Sequence, residues 1–157
     1  MTQGQRRSID EVTDRTDQII GATTDALAAS APALADELLA MGEDVLVAWL
    51  EAKGQVPTAE LSEGFRLLAM HRQAARGNPT FNACRETCRE VVFHHNLIRL
   101  APQDAQTPRH IRLGAMVVRH LALFVGGKLQ ADGLGDFCCS SRPIRQGEAT
   151  DLKTEAI

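Results

Sequence analysis

An all-α bundle of about five helices over residues 1–130, with a flexible C-terminal tail over 131–157, is the fold class this sequence predicts, on three observations. Apolar residues recur three and four apart through most of the first 130 positions. Cap and stop residues stand where such helices would begin and end. Strand signals are nearly absent: no alternating β-branched run lies between turn dipeptides, and the chain has no tyrosine. At 157 residues and 44% hydrophobic content it suits one domain with a core of ordinary size rather than a disordered chain.

The first helix opens on Ser8-Ile9-Asp10-Glu11, a capping-box pattern with serine at the cap and glutamate three residues on. Its stripe runs through Ile9, Val12, Thr16, Ile19, Thr23 and Ala26, and Pro32 ends it and starts the next. The second helix, about 32–53, carries Leu34, Leu38, Met41, Val45 and Trp49, with Gly42 marking a kink or a break and Gly54 a stop. Trp49 is a core anchor that would report on the fourth helix if the two pack together. The third, about 59–76, buries Leu61, Phe65, Leu68 and Ala69. Asn78-Pro79 reads as cap and first-turn proline of the fourth, about 79–100. The fifth opens at Pro108 and runs through Ile111, Ala115, Val118, Ala122 and Val125, where Gly126-Gly127 weakens its end. From Ala131 onward, glycine, serine and scattered charge suggest a mobile tail.

The net charge of −3 hides a division. Residues 1–63 hold 4 basic against 12 acidic side chains, whereas residues 64–130 hold 10 against 3 and all five histidines. Such halves are complementary surfaces of one fold or of a homo-oligomer, or else the basic half receives an anionic partner. No apolar run is long enough to cross a bilayer, so no membrane partner is expected. The N-terminal segment has no apolar stretch behind its basic residues, so a cytoplasmic location is expected. There the four cysteines would be reduced, which favours ligation over a disulfide framework.

The most informative feature lies in the fourth helix. At roughly 100° per residue, Cys84, Cys88 and His95 fall within an arc of about 40°, opposite Arg85, Glu86, Arg89 and Glu90. Thiolate and imidazole on one stripe suit zinc or iron, and less readily haem. The three residues span roughly 16 Å of helix, so Cys84 and Cys88 are the better chelating pair and His95 would need a distortion or a larger cofactor to join them. The same stripe also suits a core face, since free cysteine packs as a small hydrophobe. Cys138 and Cys139 could close a four-thiolate site or be incidental thiols of the tail.

Other signals are weaker. His94 follows Glu90 by four residues, the spacing of a surface ion pair. Arg109, Arg112 and Arg119 share a side of the fifth helix, which Arg72 and Arg76 could extend into an anion- or partner-binding face. Aromatic interleaving and helix-turn-helix spacing are missing, which weakens a nucleic-acid reading. Phosphate-loop, serine-hydrolase, zinc-protease and ferritin-type motifs are missing as well, so no catalytic role is assigned. The leading expectation is a metal- or haem-responsive regulatory module with its ligands on the fourth helix. The alternative is a cofactor-free interaction or adaptor protein, homo-oligomeric, with Cys84 and Cys88 in the core. A nucleic-acid-binding regulator comes third.

Overall fold

The structure, a computed structural model, describes residues 5–133, and Cys138 and Cys139 lie outside them. Among the described residues there are six α-helices and no strand. They are α1 (Ile9–Gly21), α2 (Thr24–Ala29), α3 (Ala31–Ala52), α4 (Arg66–Gly77), α5 (Arg85–Leu100) and α6 (Thr107–Ala131), with a 3-10 turn over Pro79–Cys84. None of these helices is long and apolar enough to cross a membrane. The longest, α6, packs along α1, α3 and α5, while α3 also lies against α4 and α5.

The capping box forms as the sequence implies: the Glu11 amide donates to Ser8 Oγ at 3.1 Å, and the Ser8 amide donates to Glu11 Oε1 at 2.8 Å. Val12, Thr16 and Ile19 then form the buried side of α1. The helix stops at Gly21, earlier than expected, because Thr23 caps a new start by accepting from the Ala26 amide. Arg112 of α6 donates to the Ala22 carbonyl at 2.8 Å and satisfies the end of α1. Glu37 of α3 receives Arg7 and Arg15, each at 2.7 Å. Their guanidiniums, Arg15 foremost through its hydrogen bonds, hold the Glu37 carboxyl below the usual range.

Gly42 neither kinks nor breaks α3. It is a contact point: a Cβ there would stand 3.5 Å from both Leu67 and Val91, an ordinary packing distance. The expected third helix loses its first seven residues, because Glu63 and Gly64 adopt left-handed backbone (φ 54° and 88°) that no α-helix continues through. Leu61, expected inside, is 66% exposed as a result. The end of α6 is not weakened by Gly126-Gly127. Gly126 is buried, and the helix continues to Ala131 with Leu129 in the core.

Three ion pairs, Arg119–Asp17 at 2.8 Å, Arg89–Glu63 at 2.9 Å and Arg99–Asp36 at 3.5 Å, join the basic half of the chain to the acidic half within one molecule. Each is half-exposed, so their value lies in orientation more than in stability.

Among the described glycines, Gly114 of α6 is the most closely approached by other helices. A Cβ there would come within 3.1 Å of Leu38 on α3 and 3.2 Å of the His94 Cβ on α5. His94 itself is buried, not the surface partner of Glu90 that its spacing suggests. Its ring lies 5.7 Å from that of His110, and the Nδ1 atoms of both rings are buried without a hydrogen-bond partner. Burial first, then the neighbouring His110, pushes the His94 pKa below 6.5, with Glu90 opposing. The unfolded chain therefore takes up this proton first. Stability from His94 is complete above pH about 6.5 and declines as pH falls below it. Urea midpoints measured through this range should fall for the native chain and much less for His94→Phe. Parallel slopes would exclude His94 as the cause.

Candidate functional site

Asn78 ends α4 and accepts from the Thr80 amide at 3.2 Å, and Pro79 occupies the first turn that follows. The cap and proline work as read, but the turn they start is 3-10 and becomes α-helical only at Arg85. Cys84 thus closes a tighter turn, and the uniform 100° wheel that grouped Cys84 with Cys88 and His95 does not hold across that junction.

The 3-10 turn delivers Phe81 to the centre of the molecule. Its ring is fully buried, stacks on Trp49 at 5.0 Å, meets Phe124 edge-on at 6.0 Å and lies 5.7 Å from the His71 ring. Its carbonyl is shared. His71 Nε2 lies 3.1 Å from it and the Cys84 thiol donates to it at 3.3 Å. A carbonyl only accepts, so in this contact the imidazole donates from a protonated Nε2.

Cys84 and Cys88 are 2% and 0% exposed, and both are free thiols. Cys88 stands one helical turn on from Cys84. Its side chain first, and His71 after it, draws the Cys84 pKa down to about 6, against the effect of burial. Cys84 beside it and deep burial push the Cys88 thiol up, so the pair gives up one proton readily and holds the other.

His95 is placed elsewhere. Its Nδ1 lies 2.9 Å from the Ala35 carbonyl of α3 and its ring meets Phe65 edge-on at 5.9 Å, which pins α5 to α3. The imidazole that accompanies the thiols is His71, which sequence reasoning missed. A signal for it exists: Leu67, His71 and Ala74 are four and three apart, so the wheel puts His71 on the buried side of α4. Among the described residues no three His, Cys, Asp or Glu side chains stand as a ready set for a metal ion.

The arginines are dispersed as well. Arg112 caps α1, Arg119 pairs with Asp17, and Arg109 is an exposed residue of α6. Arg72 donates to Ser62 Oγ at 3.2 Å and lines the cleft between α4 and α5, where a neighbouring cavity also reaches Arg76. His71 lies on the wall of that cleft, beside Arg72, Arg85 and Arg89. Comparison with protein-family models, curated protein sequences and solved structures gives no match, and the site stands on its own residues.

Proposed function

We propose that this chain is a small regulatory module whose responsive element is Cys84, Cys88 and His71, with zinc or a similar thiophilic cation as its ligand. The observation that supports it is the meeting of His71 and Cys84 on the Phe81 carbonyl, with Cys88 one helical turn beyond Cys84. Two thiolates and one imidazole are a Cys2His donor set, which leaves zinc a fourth position. Binding would release thiol protons, the more easily where one thiol is already acidic.

Regulation follows from what the donors give up. Cys84 must release the Phe81 carbonyl, and His71 must turn or release it too. Phe81 stacks on Trp49 of α3, so a change at the thiols is carried into the packing of α3, α4 and α5. Zinc binding is tested by competition with a chromophoric chelator on reduced, untagged protein, with Trp49 emission read in parallel. Stoichiometric binding that changes the emission and is lost in Cys84→Ser/Cys88→Ser is the expected result. A folded chain that binds no zinc, cadmium or cuprous ion would remove the proposal.

Burial of both thiols in the single apolar core favours a second reading, a cofactor-free helical interaction protein. Phe93 and Leu100, 55% and 82% exposed, would then belong to its contact surface. On that reading Cys84→Ala/Cys88→Ala lowers stability by about 1–3 kcal/mol and changes nothing else.

A further inference from the structure

We propose that the cleft between α4 and the start of α5 binds a compact dianionic oxyanion, a phosphate or the phosphoryl end of a small metabolite. The cavity there has a volume of about 230 Å³, and Arg72, Arg85, Arg89, Ser62 and His71 all line it. Glu63 is the one acidic residue on its wall. Arg89 is committed to that carboxylate through two hydrogen bonds of 2.9 and 3.1 Å. Arg72 has only the neutral Ser62 hydroxyl at 3.2 Å, and Arg85 reaches Glu86 only at 4.0 Å, the outer limit of an ion pair. Two guanidiniums on this wall thus lack a close carboxylate partner, Glu63 acting on both only at longer range.

The cleft already receives one carboxylate. Glu63 is the single non-glycine residue with positive φ among the described residues, and this costly backbone places its carboxylate against Arg89, within the field of Arg72 and Arg85. Glu63 acts as a built-in competitor occupying one edge of the arginine set. The remaining guanidinium donors and the Ser62 hydroxyl suit a tetrahedral oxyanion, whose several acceptor oxygens can take forked and single bonds together. The volume is several times the roughly 30 Å³ share of a water molecule, enough for a phosphoryl group with a few further atoms. This inference requires neither cysteine; it shares only His71 with the thiol reading, and the Arg72 and Arg85 variants leave the proposed zinc donors in place, so the two can fail separately.

The test is titration of the full chain with inorganic phosphate and, separately, with glycerol 3-phosphate. It is followed by calorimetry and by the nuclear magnetic resonance signals of the arginine and His71 side chains, with chloride at matched ionic strength as the control. Saturable binding is expected, weakened about tenfold or more by Arg72→Ala and by Arg85→Ala. Glu63→Gln should bind several-fold more tightly. Arg85 is 62% exposed, so its variant tests binding without disturbing the core, and Arg109→Ala should match the native chain. Tighter binding of the monoester identifies the phosphoryl end of a metabolite, and equal or weaker binding identifies the free ion. Absence of saturation with both ligands, or affinities indifferent to Arg72 and Arg85, would overturn the proposal.

Discussion

Replacing Phe81 with alanine should cost about 3–5 kcal/mol of folding stability, the range for removing a large buried aromatic ring. The ring is wholly inside, and its neighbours Trp49, His71 and Phe124 come from α3, α4 and α6, so no single element can shift to fill the space. The loss reaches beyond packing. The Phe81 carbonyl holds His71 and Cys84 in place, and a turn freed of its ring would hold them less firmly. Urea unfolding followed by circular dichroism measures the cost, and Trp49 emission in the native state reports the lost stacking. A cost below about 1 kcal/mol would mean that the aromatic cluster is not the hub of the core.

Gly114→Leu should be more damaging still. Even a Cβ at Gly114 would lie 3.1 Å from Leu38 and 3.2 Å from the His94 Cβ, so alanine already requires three helices to give way by a few tenths of an ångström. For alanine a cost of about 1–3 kcal/mol is expected, the usual penalty of overpacking. Leucine adds three more carbons beyond a Cβ already crowded by α3 and α5, and the chain should fail to fold or should expose the α5–α6 interface. Gly42→Ala is the internal contrast. Its Cβ meets Leu67 and Val91 at an ordinary 3.5 Å, so the helix-propensity gain of about 1 kcal/mol should leave it neutral or stabilised. Thermal melts of the three variants should therefore rank Gly42→Ala highest and Gly114→Leu lowest.

These two glycines show where the sequence was readable and where it was not. Apolar spacing locates every long helix, and local chemistry such as Ser8 with Glu11, or Asn78 before Pro79, locates starts. What a wheel cannot supply is the partner on the other side. Gly42 looks like a breaker and is a packing surface, while Gly114, with no signal in its neighbours along the chain, is a close contact of α6 with α3 and α5. The site was half legible for the same reason. Cys84 and Cys88 are neighbours along the chain, so spacing pairs them. His71 comes from another helix and reaches Cys84 only through the fold. His95 shares the idealised face of the cysteines, but seven residues beyond Cys88 it stands two turns further along α5, and its Nδ1 engages Ala35 of α3. His94 misled in the opposite sense, since an i, i+4 carboxylate indicates a surface pair only where the helix face is solvated.

The most direct measurement is the zinc affinity of His71→Gln beside that of His95→Gln, both in reduced, untagged protein. If the responsive element is Cys84, Cys88 and His71, His71→Gln should weaken binding by about tenfold or more, and His95→Gln should leave affinity within a factor of about two while lowering stability modestly. Weakening by His95→Gln alone, or zinc binding indifferent to both histidines, would contradict that ligand set.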